Sequence, residues 1–86
     1  MYEYVRVLKA LADETRLDII SNLLKREMNV FEIVNAVKKS QPNISIALKK
    51  LADAELIVYR KEQRNVYYKI KDKERIEKIL GLIKNE

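Results

Sequence analysis

The sequence predicts a mostly helical α+β domain with the element order α-α-α-α-β-β-α. Through about residue 55, apolar residues recur at the three- and four-residue spacing of amphipathic helices. From residue 56 to residue 70 the period changes to two and the composition shifts to β-branched and aromatic residues, which is typical of strands. After Asp72 the helical spacing returns. We therefore expect four helices, a β-hairpin and a closing helix.

Composition limits the chain to one small domain and narrows its chemistry. Its 86 residues, 48% hydrophobic and 36% charged, suffice for a single core, so we expect one domain over 1–86. No apolar run approaches the ~18 residues that cross a bilayer, and Glu3 and Arg6 interrupt the N-terminal apolar stretch. We expect no signal peptide, no membrane partner and a cytoplasmic location. Without cysteine or histidine, disulfides and nearly all zinc or copper sites are excluded, and no cofactor is predicted.

The first two helices are predicted from apolar spacing and a capping residue. Asp13 can cap the second helix through its carboxylate, with Glu14 in the first turn, and the stripe of that helix runs to about Arg26. The first helix spans about residues 1–11. Their apolar positions are Tyr4, Val5, Leu8 and Leu11 in the first helix and Leu17, Ile19, Ile20, Leu23 and Leu24 in the second.

A helix-turn-helix is predicted between Val30 and Glu55. The third helix ends near Lys38, and only six residues separate its last apolar position from the next stripe, so the two helices must be neighbours. Ser40 can cap the fourth helix, and Pro42 fits its first turn, where a missing N–H costs nothing. The inward stripe of that helix is Ile44, Leu48 and Leu51, widened by Ala47 and Ala52.

The outer face of the fourth helix is suited to DNA. Its side chains can donate to base edges, accept from them, contact a thymine methyl and neutralise phosphate. We predict that residues 40–54 are a recognition helix for a major groove, the alternative being an ordinary solvated surface with serine and asparagine as caps. Ile46 favours DNA, because an apolar side chain opposite the buried stripe needs a protein neighbour or a thymine methyl. The predicted contacts are Ser40, Gln41, Asn43, Ser45, Ile46, Lys49 and Lys50.

The hairpin that follows carries basic residues at its tip. Strands are predicted at 56–59 and 66–70, and the intervening residues 60–65 are a wing, the basic hairpin tip that follows a recognition helix. No glycine is present there, so Asn65 or Gln63 must take the positive φ of the turn, and asparagine does so more easily. The predicted DNA contacts of the wing are Lys61, Arg64 and Asn65, the two cations through phosphate.

The second strand and the last helix supply the remaining apolar positions. Alternation places Val66, Tyr68 and Ile70 on the inward face of the strand. Asp72 can cap the final helix, over about residues 72–85. Its apolar stripe is Ile76, Ile79, Leu80 and Ile83.

The net charge of +5 is concentrated in the recognition helix and the wing. Residues 38–64 carry seven basic and three acidic side chains, whereas residues 1–37 carry five and six. A localised basic segment suggests a polyanion partner, although lysine-rich solvated faces are common. Arg16, outside this segment, is expected to be a structural charge paired with an acid such as Asp13.

Two other classes of function compete with DNA binding. An enzyme would need a nucleophile–base pair or a phosphate-binding loop, and a chain with one glycine, no cysteine and no histidine offers neither. A winged helix can also be a protein–protein interaction module within a transcription or degradation assembly. The basic charge on both the recognition helix and the wing favours DNA, because an adaptor does not need it.

Three motifs occur in order along the chain. They are Leu8–Ile20, Val30–Leu51 and Arg60–Tyr68, and the second contains Ser40-Gln41-Pro42 and Ser45-Ile46-Ala47-Leu48. Together they resemble the ArsR/SmtB-type winged helix-turn-helix transcriptional repressors over about residues 5–70, most of the chain.

The resemblance implies a homodimeric, sequence-specific repressor that binds double-stranded DNA. Such a protein would place the recognition helix 40–54 and the wing 60–65 on an inverted-repeat operator, with terminal helices at about 1–11 and 72–85 forming the dimer interface. The apolar surface of those helices also exceeds what a small core needs to cover. The expected interface residues are Tyr2, Val5, Ile76, Ile79, Leu80 and Ile83.

Departures from the family pattern concern metal ligands and glycines. The Cys-x-Cys positions of metal-sensing members are Asn29 and Phe31 here, and the final helix offers carboxylates but no histidine. We therefore expect metal-independent DNA binding, and the sequence names no small-molecule effector. A frequent histidine of the family is replaced by Ala47, and two usual glycines, before and within the wing, are replaced by Glu55 and Gln63. The carboxylates that the final helix offers in place of metal-binding histidine are Asp72, Glu74 and Glu77.

Overall fold

A computed structural model describes the backbone of residues 2–84 and the side chains of residues 5–82. In this range it contains five helices and three strands. The predicted order of elements is confirmed, with one short strand added before the third helix. In chain order the elements are α1 Tyr2–Leu11, α2 Glu14–Leu23, β1 Met28–Asn29, α3 Val30–Val37, α4 Gln41–Asp53, β2 Ile57–Glu62, β3 Asn65–Ile70 and α5 Lys73–Lys84.

Four helices begin at a side chain that satisfies an otherwise unpaired backbone N–H. The predicted caps Asp13, Ser40 and Asp72 are confirmed, and each accepts a hydrogen bond from the N–H three residues on, at 3.0, 3.3 and 3.1 Å. At α3 the capping is reciprocal: the Asn29 side chain accepts from the Glu32 N–H, and the Glu32 carboxylate accepts from the Asn29 N–H, both at 2.9 Å. These local bonds fix where the helices start.

The turn between α3 and α4 closes without glycine. Lys38 ends α3 in the left-handed conformation, with φ 61° and ψ 46°, and its N–H donates to the Val34 carbonyl at 2.8 Å. A side chain in this region costs about 1 kcal/mol relative to glycine. The predicted helix-turn-helix is confirmed, and its geometry does not depend on a glycine.

The β-hairpin belongs to a three-stranded antiparallel sheet of order β1-β3-β2. β2 and β3 pair along their full length, and Gln63 and Arg64 form the two-residue turn between them. The predicted strands are therefore too short: residues 60–62 and 65 of the wing belong to the ladder, and only two residues form the tip. β1 pairs with the other edge of β3, where Met28 lies opposite Tyr68. The sequence does not reveal β1, because two residues are too few to show a period.

Left-handed backbone occurs at both positions where the family resemblance leads us to expect glycine. Glu55, before β2, has φ 61°, and Gln63, in the turn, has φ 56°. The preference for Asn65 is therefore wrong: Asn65 pairs with Glu62 inside the ladder, and Gln63, the first turn residue, takes the positive φ. The fold keeps these two backbone bends without glycine.

The core lies between the helices and the inner face of the sheet. As predicted, Ile70 is buried and Tyr68 packs against the core, but Val66 is only half-buried and lies outside it. Val66 pairs with Lys61 beside the turn, where the hairpin projects past the core. The largest fully buried side chains are Ile19, Ile20, Ile33, Ile44, Leu51 and Ile76.

The end helices differ from the prediction in which side chains they leave exposed. Ile76 and Ile79 were expected at a dimer interface, but they are 1% and 6% exposed within a single chain, so they anchor α5 to its own core. Val5 is exposed and Leu80 half-buried, while Leu82, not singled out from the sequence, is 80% exposed. The remaining two expected interface residues, Tyr2 and Ile83, lie outside the described side chains.

Contacts between α1 and the rest of the domain reach the end of α4. The Arg6 guanidinium donates to the backbone carbonyl of Asp53, and Arg6, Val7 and Arg75 line one shallow hollow, which places α1 beside α5.

Across residues 2–84, no helix is both long enough and apolar enough to cross a membrane.

Candidate nucleic-acid interface

The two faces of α4 are separated as the sequence predicts. Ile44 is fully buried, whereas Ile46, two residues on, is 58% exposed. All the predicted DNA contacts of this segment are exposed: Ser40, Gln41, Asn43, Ser45, Ile46, Lys49 and Lys50. The helix is thus fixed to the core by one apolar stripe, and its polar face, with an isoleucine at the centre, is free for a partner.

Two hollows flank this polar face. On one side, Asn43, Ile46 and Lys50 line a hollow together with the start of α2, including Thr15. On the other side, Ser45 and Lys49 line a hollow with two tyrosines of the hairpin. The predicted reading face therefore lies between the beginning of α2 and the base of the wing, so a ligand seated on α4 would meet both.

The cations of α4 are available to an anionic ligand. Lys49 forms an exposed i,i+4 ion pair with Asp53 at 3.3 Å, an arrangement that contributes little to stability and is easily exchanged for a phosphate. Within residues 5–82, Lys50 has no carboxylate within 4.0 Å. Both lysines are exposed, so phosphate contact requires no rearrangement of the fold.

The three basic residues of the wing divide into two kinds. Lys61 and Arg64 are exposed and, among the described side chains, have no acidic partner within 4.0 Å. Arg60, in contrast, is held by Glu27 at 2.9 Å and by Glu62 at 3.3 Å. The sequence alone gives three equivalent positive charges in the wing, but within the side chains of residues 5–82 only two of them have no acidic partner.

Arg16 is a structural residue, as predicted. It lies 4.0 Å from the Asp13 carboxylate, and its Nε donates to the Ala10 carbonyl at 2.6 Å. Arg16 therefore ties the end of α1 to the start of α2. It also borders the hollow beside Ile46, so it supports one wall of the candidate interface.

Hydrogen bonds favour the charged form of two carboxylates near the sheet. Hydrogen bonds from Arg60 lower the pKa of Glu27, and the bond from the Asn29 backbone, followed by Arg26, lowers the pKa of Glu32. A lowered folded-state pKa stabilises the fold above the ordinary glutamate value, about 4.3. That stabilisation is lost as the pH falls through the lowered value, so both contacts are intact at neutral pH.

Two residues at the candidate interface were not predicted. Tyr59 lies opposite Tyr68 in the ladder, their ring centroids 5.8 Å apart, and Tyr59 stays exposed beside α4. Burial raises the pKa of Tyr68. Thr15 lies at the start of α2, on the other flank. The alternation of β2 could have placed both tyrosines on one face, but it could not show that this face borders α4.

The positions that the resemblance compares with metal ligands are helix caps, an exposed phenylalanine and an ion-paired glutamate in this structure. Asn29 caps α3, Phe31 is 69% exposed, Asp72 caps α5, and Glu74 pairs with Lys78 at 3.5 Å. Over the part of the chain that the structure describes, no three His, Cys, Asp or Glu side chains cluster in a way that could hold a metal ion.

Comparison with known proteins gives one family model and a group of curated relatives. The model described as "Bacterial regulatory protein, arsR family" matches residues 13–59. KmtR of Mycobacterium tuberculosis is 35% identical over 79% of this chain and 52% of its own. A transcriptional repressor SmtB homolog of Synechocystis is 40% identical over 73% of this chain and 48% of its own. The chain spans about half the length of these two relatives.

A similar protein of nearly the same length comes from Methanocaldococcus jannaschii. This uncharacterised HTH-type transcriptional regulator is 38% identical over 90% of the present chain and 86% of its own. These relatives are named as transcriptional regulators or repressors, which agrees with the predicted class of DNA-binding regulator and not with an enzyme.

Solved structures agree with the fold over nearly the whole chain. NolR of Sinorhizobium fredii superposes with a TM-score of 0.87 at 33% identity, covering 95% of this chain and 81% of its own. The homodimeric winged helix-turn-helix DNA-binding domain of a possible ArsR-family regulator from Mycobacterium bovis gives 0.86 at 29% identity, covering 98% and 80%. The winged helix-turn-helix fold is therefore shown.

Proposed function

We propose that this chain, which belongs to the arsR family of bacterial regulatory proteins, is a transcriptional repressor that acts on double-stranded DNA in the cytoplasm. It binds an inverted-repeat operator as a homodimer, with α4 in the major groove and the wing along the adjacent backbone. The observation that carries the proposal is the exposed face of α4, where Ile46 stands among polar and basic side chains and where Ser45 and Lys49 border two tyrosines at the base of the hairpin.

The two parts of this surface have different tasks in the proposal. Gln41, Asn43 and Ser45 offer donors and acceptors to base edges, and Ile46 offers an apolar contact to a thymine methyl. The cations neutralise phosphate, which fixes position but carries no sequence information. They are Lys49 and Lys50 on α4 and Lys61 and Arg64 on the wing, with Asn65 as a further polar contact.

The proposed dimer interface is formed by α1 and α5. Val5, Leu8 and Leu82 are all exposed apolar residues of these helices, and α1 lies beside α5. In a two-fold dimer the same patch of each chain packs against its copy, so one contact covers the apolar surface of both chains. It would also set two recognition helices about one turn of DNA apart, ~34–36 Å.

Equilibrium binding to duplex DNA at several salt concentrations tests the function. We expect a linear fall of log affinity with log salt concentration, because bound phosphates release counterions. Selection of bound fragments from genomic DNA should yield an inverted repeat. Binding without salt dependence, or no selected sequence, would instead favour a protein–protein interaction module.

The wing variants Lys61→Ala and Arg64→Ala are expected to weaken binding to all duplexes equally. Each lost phosphate contact should make the slope of log affinity against log salt shallower by about 1, hence by about 2 for a dimer. Lys78→Ala removes the same charge from an exposed side chain of α5, outside the candidate DNA-binding surface, and serves as the control, with little change in slope. A change of sequence preference in the wing variants alone would contradict the assignment of α4 as the reading helix.

Zinc, cadmium, arsenite and thiol oxidants are expected to leave the protein–DNA complex intact. The chain has no cysteine or histidine, and oxygen ligands alone bind these metals weakly and with little selectivity. Titration of Zn²⁺ into the complex, followed by fluorescence anisotropy of a labelled operator, checks the expectation. Release of DNA at one equivalent of metal per chain would contradict it.

A further inference from the structure

The guanidinium of Arg60 makes an unusually complete set of contacts for an exposed residue. Its Nε and Nη2 donate to the two carboxylate oxygens of Glu27 at 3.1 and 2.9 Å, and Nη1 donates to Glu62 at 3.3 Å. The guanidinium also lies over the Tyr67 ring, 4.8 Å from its centroid. Two parallel bonds from one arginine to one carboxylate fix orientation better than a single contact.

This contact crosses the whole sheet. Arg60 lies in β2 opposite Tyr67 of β3, and Tyr67 lies opposite Asn29 of β1 on its other edge. Glu27 immediately precedes β1 and is 33 residues from Arg60 in sequence. The bond therefore joins the outer strand of the hairpin to the connection between α2 and β1, across the strand that lies between them.

The position of this bond along the hairpin matters. Beyond Arg60, residues 61–65 are all exposed, so they have no core packing to fix their direction. The bond between Arg60 and Glu27 lies at the base of this projecting part. Among the ion pairs of residues 5–82, it is the one that links the hairpin to the connection between α2 and β1. Glu62 bonds the same arginine but belongs to the same strand, so it cannot hold the hairpin to the body.

We propose that Glu27 is a positioning residue for DNA binding, which fixes the direction of the wing relative to the rest of the domain by bonding Arg60. This inference rests on the proposed function, since it assigns the orientation of the same DNA-binding surface. Both partners are substantially exposed, and such a pair contributes little to global stability. Its effect should therefore appear in the order of the wing and in DNA affinity.

The direction in which a mutation of Glu27 changes DNA affinity separates this role from simple charge repulsion. Removing a negative charge beside a DNA-binding surface should strengthen binding, because less repulsion opposes the phosphates. If Glu27 positions the wing, Glu27→Gln must weaken binding instead, because the freed wing has to be ordered when DNA binds. Glu62→Gln is a matched control: it removes an equal negative charge next to the same arginine but leaves the bond between Arg60 and Glu27 intact.

The experiment compares the two variants with the wild type on the selected operator at several salt concentrations. We expect Glu27→Gln to lose about threefold to tenfold in affinity, and Glu62→Gln to bind as tightly as the wild type or more tightly. In the DNA-free protein, amide hydrogen exchange at Asn65 and Tyr67, whose registers alternate as hydrogen-bonded pairs with β2, should be faster in Glu27→Gln only. Thermal unfolding of both variants should stay within a few degrees of the wild type.

A double variant tests whether the two residues act as a unit. Glu27→Gln combined with Arg60→Gln should bind no more weakly than Arg60→Gln alone, because one change already breaks the bond. If Glu27→Gln and Glu62→Gln both strengthen binding, or if their hydrogen exchange is the same, the inference is overturned while the proposed function stands. If the wild type shows no salt-dependent duplex binding, the proposed function fails and this inference fails with it.

Discussion

A protein carrying Leu8→Asp and Leu82→Asp is expected to be monomeric and to bind its operator about 10²–10⁴-fold more weakly than the wild type. Both leucines are exposed apolar residues of the helices proposed to form the dimer. Burying an unpaired carboxylate at a two-fold contact is strongly unfavourable, and each change occurs twice in the dimer. A monomer would have one recognition helix and would lose the gain from linking two binding events.

Light scattering at micromolar concentration measures the first part of this expectation. The wild type should give about twice the chain mass of 10.2 kDa, and the variant the chain mass itself. Circular dichroism should show unchanged helix content, because neither leucine is buried in its own chain. A wild-type monomer at this concentration, or a variant that remains dimeric, would contradict the proposed interface.

Phe31→Asp is the control for this pair of changes. The exposure of Phe31 lies between those of Leu8 and Leu82, but Phe31 belongs to α3 and not to a terminal helix, so replacing it should leave the dimer intact. If Phe31→Asp gives the monomer and the leucine variant does not, the interface lies on α3.

The second large effect is expected from alanine substitutions of two isoleucines of α4, one buried and one exposed. Ile44→Ala should lower the free energy of unfolding by about 2–5 kcal/mol, because it leaves a cavity where a fully buried side chain was. A domain of this size has a total stability of only about 4–13 kcal/mol. Ile44→Ala should therefore be partly unfolded at moderate temperature, and it should unfold at clearly lower urea concentration than the wild type.

Ile46→Ala is the same substitution two residues away, and it should have the opposite profile. Its side chain is largely exposed, so the stability should change by less than about 0.5 kcal/mol. Loss of a thymine-methyl contact should instead cost about 1–3 kcal/mol at particular base pairs and leave non-specific binding nearly intact. Urea unfolding, together with binding to operator and scrambled duplexes, measures both quantities.

Two results would contradict the assignment of the two faces of α4. One is an Ile46→Ala protein as destabilised as Ile44→Ala, which would place Ile46 in a packed environment. The other is an equal loss of affinity of Ile46→Ala for operator and scrambled DNA, which would make this residue irrelevant to sequence recognition.

Much of the fold and of the recognition helix could be predicted from the sequence, because the deciding interactions are local. The caps Asp13, Ser40 and Asp72 each bond to an N–H three residues away. The opposite exposures of Ile44 and Ile46 follow from helical geometry alone, since residues two apart on a helix point to different sides. A change of period is likewise enough to separate the helices from the hairpin.

Other features were decided only by the tertiary structure, because their partners are distant in sequence. Ile76 and Ile79 could face a second chain or their own core with the same spacing, and only the packing of α5 places them in the core. β1 consists of two residues that become a strand because the edge of β3 is free to pair with them.

The electrostatics of the wing show the same division. The sequence determined how many charges the wing carries and which segment is basic. It did not determine that Arg60 is bound to a carboxylate 33 residues away. Among the side chains that the structure describes, this leaves Lys61 and Arg64 as the cations of the wing without an acidic partner. Helix caps and hydrophobic periods act over a few residues, whereas an ion pair across three strands exists only after the chain has folded.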